Sequence, residues 1–277
     1  MIVSRRHRFV FMHNPKVAGS SVRGALEQWR DPDVDLFAVD PDPASPLHRI
    51  DRSHIGLAEF EHYYPELWGQ VKTLPFFVLY RDSFRRFLSS FNEYCRVYGD
   101  TDIRFAATPE RRRVFLSLIE RLERLGQAEA VMDVLDLTHF RPQWIYIDAP
   151  EGAALDLRAF DLSDMAGFTA ALSDCIGAPV DFGRENSSEQ FDLPGPMRRL
   201  LANNAIKKRL RELPGAMWAM GQLRRRSGAA GKGLSVAERY GMSEAEETDL
   251  RAFVERFYAR DQAVLARLQR RPVASEA

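Results

Sequence analysis

The sequence predicts an α/β fold in which helices flank a mainly parallel sheet. Short, almost continuous apolar runs suit strands that are buried on both faces. Loops rich in Gly, Pro or polar residues follow these runs, and amphipathic helical patterns follow the loops. Because strands that alternate with helices favour parallel connections, we expect ligands to bind beyond the carboxyl ends of the strands.

Two strand–loop–helix units carry most of this prediction. The first has a buried strand at Phe9–Met12, and one of the two serines at 20–21 is expected to cap the helix that follows. The second has a buried strand at Phe76–Tyr80 and then an amphipathic helix, with Asp82 or Ser83 as its cap.

The remaining elements are predicted from shorter or more polar patterns. Helices are expected where apolar residues recur every three or four positions and a cap is present, and strands where a short apolar run stands between polar loops. They are a helix over 111–125, a third strand at Trp144–Ile147, a candidate fourth strand over 155–160, a helix from Ser163 or Asp164 to Gly177, and a last helix that begins with the capping box Ser243–Glu246 and continues through Leu265.

The composition of the 277 residues, 45% hydrophobic and 28% charged, is typical of a globular protein and excludes disordered and fibrous classes. The 39 basic and 39 acidic side chains cancel, which argues against a nucleic-acid partner. No apolar run has the length of a signal-peptide core or a membrane span. These observations predict a cytoplasmic protein with a single domain over 1–277 and a flexible Gly-, Arg- and Lys-rich loop over 221–235; they do not indicate an oligomeric state.

The loop after the first predicted strand is suited to an anion. Gly19 and two serines open directly into a helix, so backbone N–H groups and the positive end of the helix dipole face the loop, and Lys16 adds a cation. Lys16 precedes the hydroxyls, whereas a Walker A loop has its Lys immediately before the Ser or Thr, so a metal–nucleotide site is disfavoured. An exposed lysine beside an ordinary helix start is the alternative.

The loop after the second predicted strand offers a second anion site. On the predicted helix, Ser89 falls outside the apolar stripe, and the long side chain of Arg81 reaches toward it, so the two could share one phosphate. Each alone fits a surface arginine or a helical serine. Together with the first loop, they predict a ligand that has two separated anionic groups.

The two loops also resemble known motifs. Pro15-Lys16-x-Ala18-Gly19-Ser20-Ser21 resembles the 5′-phosphosulfate loop of the family 2 sulfotransferases, which include carbohydrate sulfotransferases. The stretch 81–89, Arg-Asp-x-x-x-Arg-x-x-Ser, resembles the 3′-phosphate motif of that family, although Ser83 stands where the family usually has proline. Weaker similarities, such as Ser53-His54, the stretch 139–143 (His-Phe-Arg-Pro-Gln) and Tyr258-x-x-Asp261, extend over nearly the whole chain.

This resemblance implies a P-loop NTPase-like sulfotransferase fold and metal-free transfer of a sulfuryl group from 3′-phosphoadenosine 5′-phosphosulfate (PAPS) to an acceptor, leaving 3′-phosphoadenosine 5′-phosphate (PAP). Lys16 would contact the oxygen that joins the sulfuryl group to the 5′-phosphate of PAPS. The expected acceptor is a hydroxyl, and the family favours a carbohydrate. The implied nucleotide-binding residues are Pro15, Lys16, Ala18, Gly19, Ser20 and Ser21 at the 5′ end, and Arg81 and Ser89 at the 3′ end.

The base that accepts the proton of the hydroxyl is expected to be a histidine, because imidazole titrates near neutral pH. His54 is the first candidate, since Ser53-His54 resembles the segment of the family's catalytic histidine. His139 is its rival, and Glu59 is a weaker third. Two other functions stay open: a P-loop kinase that uses ATP and Mg²⁺, and a non-catalytic nucleotide-binding protein of the same fold.

Overall fold

The computed structural model describes residues 1–36, 39–41, 49–103, 105–149, 154–182, 190–191, 202–211, 229–230 and 235–269. The chain divides into two compact units. The first consists of Met1–Arg86, Ala128–Glu185 and Tyr258–Ala277, and the second of Phe87–Gln127 and Asn186–Phe257. Each unit therefore combines stretches that are far apart in sequence. The single domain expected above stays a prediction.

The first unit contains a four-stranded mixed sheet with three parallel strands. The strands are β1 (Ile2–Ser4), β2 (Phe9–Met12), β3 (Val39–Pro41), β4 (Arg49–Asp51), β5 (Phe76–Tyr80) and β6 (Leu157–Asp161). The main sheet has the order β1-β2-β5-β6, in which β1 is antiparallel to β2 while β2, β5 and β6 run parallel. A separate antiparallel pair joins β3 to β4. The α/β prediction with a mainly parallel sheet is confirmed at this level.

Helices alternate with these strands along the chain. Short 3₁₀ helices occur at Glu27–Trp29, Arg52–His54, Ala128–Val131 and Leu135–Phe140. The α-helices of the described chain are α1 (Gly19–Leu26), α2 (Leu57–Tyr63), α3 (Pro65–Val71), α4 (Ser83–Val97), α5 (Thr108–Leu125), α6 (Trp144–Ile147), α7 (Met165–Ile176), α8 (Asn204–Arg211), α9 (Val236–Tyr240), α10 (Glu244–Phe257) and α11 (Ala259–Gln269).

Both faces of the main sheet are covered, which explains why its central strands are apolar at every residue. One face carries Val10 and Val78 and packs against buried side chains of α2, α3, α6 and α11. The other carries Phe11 and Phe77 and packs against α1 and α7. This two-sided burial fixes the pairing register of the strands, because a shift by one residue would turn every side chain of a strand to the other face of the sheet. The ends of β2 and β5 are therefore held in a defined register, with Met12 opposite Val78.

The second unit has an aromatic core of its own. The rings of Phe91 and Phe115 meet edge to face with centroids 4.7 Å apart, and Tyr240 of α9 stacks on Phe115 at 5.0 Å. The two-residue strands β7 (Gln190–Phe191) and β8 (Ala229–Ala230) pair in an antiparallel ladder in this unit. Arg112 of α5 forms an ion pair with Glu246 of α10.

Several predicted helix ends are confirmed. Asp82 accepts a hydrogen bond from Arg85 N (2.8 Å) at the start of α4. Asp164 accepts one from Gly167 N (3.0 Å) before α7, and Gly177 ends that helix in the left-handed conformation. At α10, Ser243 N donates to the Glu246 carboxylate and Glu246 N donates to Ser243 Oγ, which is the predicted capping box.

Three predictions are wrong. Trp144–Ile147 is a short helix rather than a strand, because two N–H groups at its start donate to a carboxylate of the distant helix α11. The last helix is interrupted at Tyr258, whose hydroxyl donates to Phe140 O (2.8 Å), so α10 and α11 are separate helices. Neither serine at 20–21 caps α1, since the helix begins at Gly19 and Ala18 is its N-cap residue.

Most of the stretch 221–235, predicted to be a flexible loop, lies outside the described residues. Its described parts are β8 and Ser235, which caps α9 by accepting a hydrogen bond from Glu238 N (3.1 Å). A search of the described helices finds none with the length and apolar character needed to cross a membrane.

Candidate functional site

The turn between β2 and α1 presents a helix start that its own cap residue does not satisfy. Ala18 has no side chain that could accept a hydrogen bond, and its carbonyl accepts from Val22 N of the helix (3.1 Å). Lys16 and Ala18 both adopt left-handed backbone conformations, with φ of 67° and 62°. A left-handed residue before a helical one orients successive N–H groups toward one point, which suits an anion. Ser20 and Ser21 lie in the first turn beside these groups.

Gly19 is required in this turn because of a close approach. A methyl carbon built on its backbone would lie 1.9 Å from His13 Nε2 and 2.1 Å from His13 Cδ2. The imidazole of His13 therefore lies directly against the start of α1. Any anion held by the first N–H groups of this helix would have His13 as a neighbour.

Arg81 occupies the corresponding place after β5. Its side chain is partly buried, and among the residues that the structure describes its guanidinium makes no hydrogen bond or ion pair. Burial, followed by the neighbouring Arg85, lowers the pKa of Arg81, while Asp82 and Asp161 act against this shift. A partly buried cation without a bonded partner favours a bound anion.

The two turns lie side by side because β2 and β5 are parallel neighbours. Asn14 Nδ2 donates to Leu79 O (3.0 Å) and to Gln143 Oε1 (3.0 Å), and the same Oε1 accepts from Arg81 N (3.1 Å). The sequence motifs around Lys16 and Arg81 therefore meet at one edge of the sheet, as the fold class predicts.

Ser89, the other predicted 3′-phosphate residue, lies on α4 and is partly buried. It belongs to the second unit, whereas Arg81 belongs to the first. Its pairing with Arg81 on one phosphate stays a prediction.

Three imidazoles form a contiguous row in the first unit. The ring of His54 lies between those of His13 and His139, with centroid distances of 5.2 Å to each. His54 Nδ1 is 2.8 Å from Ser53 Oγ, and the backbone carbonyl of His54 accepts from Tyr146 Oη at 2.9 Å. The two candidate bases predicted from the sequence are thus neighbours, and one ring of the row reaches the start of α1.

Glu59, the weakest of the candidate bases, has a structural role. One carboxylate oxygen accepts from Gly56 N (2.8 Å) at the start of α2, and the other forms an ion pair with Arg141. Arg141 also donates to His54 O (3.1 Å), so this pair orients the segment that carries His54. These two bonds occupy both carboxylate oxygens, so Glu59 is engaged in holding the start of α2 and Arg141.

A buried polar network lies behind the two turns. Arg86 is 1% exposed, and its guanidinium donates to Pro15 O (3.1 Å) and to Arg141 O (2.8 Å) rather than facing a ligand. The fully buried Asp261 carboxylate accepts from the N–H groups of Gln143 (2.9 Å) and Trp144 (2.8 Å). Burial raises the pKa of Asp261 to about 6, although Arg86 and the two N–H groups act to lower it.

Sequence reasoning missed the roles of His13 and Gln143. His13 directly follows a predicted strand, where side chains of an α/β sheet meet ligands, and this signal was available. Gln143 stands in a stretch that resembles a family segment, but only the folded chain shows which backbone groups its carboxamide meets. Among the described residues, no group of three or more His, Cys, Asp or Glu side chains is arranged to hold a metal ion, the three imidazoles included.

No family model matches the chain, and no curated protein or solved structure matches it significantly.

Proposed function

We propose that the chain is a sulfotransferase of P-loop NTPase-like fold that moves a sulfuryl group from PAPS to an acceptor hydroxyl. The observation that carries the proposal is the meeting of two anion-suited turns, at 13–19 and at 81–82, at the ends of adjacent parallel strands. One turn offers the start of a helix, and the other a partly buried guanidinium. A nucleotide with anionic groups at both ends matches this pair.

The residues of each turn have distinct roles in this proposal. The N–H groups from Gly19 onward, with the hydroxyls of Ser20 and Ser21, hold the 5′-phosphate, while Pro15 and Ala18 shape the turn. Arg81 binds the 3′-phosphate. PAPS, when bound, supplies the sulfuryl group and leaves as PAP. The ammonium of Lys16 neutralises the negative charge that builds on the 5′ side during transfer, with no metal ion needed.

His54 takes the proton of the acceptor hydroxyl. If its Nδ1–H donates to Ser53 Oγ, Nε2 carries the lone pair that a general base needs. The rings of His13 and His139 flank the imidazole of His54, each with a centroid distance of 5.2 Å. His139 is the rival base. The acceptor we propose is a carbohydrate hydroxyl, as the family resemblance implies.

Nucleotide binding provides the first test. PAP is expected to raise the melting temperature of the protein in a buffer with EDTA, because a ligand that binds only the native state stabilises it. A response only to ATP with Mg²⁺ would instead support the kinase. A second assay offers labelled PAPS with a panel of saccharides and alcohols. If the protein binds PAP but transfers no labelled sulfate to any of them, the non-catalytic alternative is favoured.

Three variants assign the roles. Lys16→Ala should abolish transfer while PAP affinity falls only modestly, since the lysine acts mainly on the transition state. Arg81→Ala should weaken PAP binding by about tenfold or more, as expected for the loss of a charge-assisted contact. Arg6→Ala is the control: Arg6 is exposed in the turn before β2, at the opposite end of that strand, and should leave both properties unchanged. Equal PAP affinity in Arg81→Ala and wild type would remove the 3′-phosphate assignment.

A further inference from the structure

The side chain of Gln143 makes hydrogen bonds to both turns at once. Its Oε1 accepts from Asn14 Nδ2 (3.0 Å) on the β2 side and from Arg81 N (3.1 Å) on the β5 side, and its Nε2 donates to Arg81 O (2.8 Å). Gln143 and Asn14 are both fully buried, so water does not compete for these bonds. One carboxamide therefore connects the segments that carry Lys16 and Arg81.

The contact with Arg81 constrains the direction of that residue. The N–H and the C=O of the same residue both bond to one planar amide, as they would to a neighbouring strand. Only a carboxamide fits this arrangement, because it accepts from N–H groups and donates to a carbonyl with a single planar group. A carboxylate in its place would set a negative charge against Arg81 O.

The backbone of Gln143 is held in place by helix α11. Its backbone N–H donates to Asp261 Oδ2 (2.9 Å), a fully buried carboxylate of α11. Arg141, two residues before Gln143, accepts at its carbonyl a hydrogen bond from Arg86, whose guanidinium also donates to Pro15 O in the first turn. Thus the segment 141–143 is held by a helix on one side and by both turns on the other.

We propose that Gln143 is a positioning residue that sets the separation between the two phosphate-binding turns. The inference rests on the proposed function, because it concerns the two ends of the same nucleotide. Gln143 acts through Asn14 and Arg81 and does not touch the ligand. A ligand that bridges two sites gains from the second only if their spacing matches its own, and an error of about 1 Å is costly in such arrangements.

The test compares a ligand that uses both turns with ligands that use one. The affinities of PAP, adenosine 5′-phosphate and adenosine 3′-phosphate are measured by calorimetry for wild type, Gln143→Met and Gln143→Asn. We expect PAP to lose about 10–100-fold in affinity, whereas each single-phosphate nucleotide changes by less than about threefold. Gln28→Met is the matched control, because Gln28 is exposed after α1; it should leave all three affinities unchanged.

Two results would overturn the inference. Equal losses for all three nucleotides would mean that Gln143 only supports the fold, and an unchanged PAP affinity would mean that it does not set the spacing. Gln143→Asn retains a buried amide that is one methylene too short, so it keeps the test available if Gln143→Met does not fold. A wild-type protein that binds PAP no better than the single-phosphate nucleotides would instead refute the proposed function, and this inference with it.

Discussion

Replacing Gly19 with alanine is expected to weaken anion binding far more than it weakens the fold. The new methyl carbon would lie 1.9 Å from His13 Nε2, whereas ordinary contacts begin at 3.4 Å. The imidazole therefore has to withdraw by roughly 1.5 Å. Because His13 packs on His54 with a centroid distance of 5.2 Å, the displacement also reaches the proposed base.

The cost in stability is limited by two opposing effects. Overpacking a tight site costs about 1–3 kcal/mol, while alanine is favoured over glycine in a helix by about 0.5–1 kcal/mol. A net loss of up to about 2.5 kcal/mol corresponds to a fall in melting temperature of at most about 10 °C for a chain of this size. The methyl group also stands beside the N–H groups that would hold the 5′-phosphate. We therefore expect the Kd for PAP to rise by about tenfold or more, at least about 1.4 kcal/mol.

Thermal unfolding and calorimetric titration with PAP measure the two effects separately. Gly24→Ala is the control in the same helix, because no atom of the described residues lies within 4 Å of its new methyl carbon; it should leave PAP affinity unchanged. The double variant His13→Ala, Gly19→Ala removes the clash, so it should regain the lost stability without regaining PAP affinity. A folded Gly19→Ala protein with wild-type PAP affinity would refute the placement of the phosphate at the start of α1.

Three other outcomes are expected. Because burial raises the pKa of Asp261 to about 6, above the usual value of 3.8 for aspartate, its contribution to stability is largest below about pH 4 and falls as the pH rises to about 6. The free energy of unfolding of wild type relative to Asp261→Asn, measured by urea titration, should therefore drop by up to about 3 kcal/mol across that interval; a constant difference would contradict this. Burial also raises the pKa of both thiols, and Cys95 is fully buried in α4, so iodoacetamide should modify Cys175 in the native protein and Cys95 only after unfolding. His54→Ala should lower transfer by about 10²–10⁴-fold with PAP affinity nearly intact, and full activity in that variant would move the base to His139.

The central strands and the capped helices could be predicted from the sequence because their signals are local. β2 and β5 are apolar at every residue, and each has a loop directly after it. The helix bounded by Asp164 and Gly177 carries a start and a stop signal that depend on backbone geometry alone. From these, the parallel arrangement and the edge where the two loops meet followed.

The failures have tertiary causes. The four apolar residues Trp144–Ile147 fit a buried strand as well as a short helix, and the choice depends on Asp261, more than a hundred residues later. The strand β3 lies in the stretch 31–46, whose Asp and Pro content is typical of a surface loop. The break between α10 and α11 at Tyr258 has no local signal in the sequence, since the residues on both sides continue the apolar pattern.

For the candidate site, the sequence predicted two anion-binding turns but not the contacts that fix them. Lys16 and Arg81 were identified from residue type and order alone. Gln143 was not, because its role depends on the backbone groups of Arg81 and on Asn14, which only the sheet brings within reach. The sequence shows that His13 directly follows a strand, but only the folded chain shows that its ring lies against Gly19.

Several energetically unfavourable features lie in the segments that carry or support the proposed site, although Arg8, before β2, is also left-handed. Lys16 and Ala18 both adopt left-handed conformations, which cost about 1 kcal/mol or more for residues other than glycine. The carboxylate of Asp261 is completely buried, and its pKa is raised accordingly. Bonds such as Val22 N to Ala18 O and Gln143 N to Asp261 hold these groups in place. A turn that these bonds order before a ligand binds loses less conformational entropy on binding, which favours affinity.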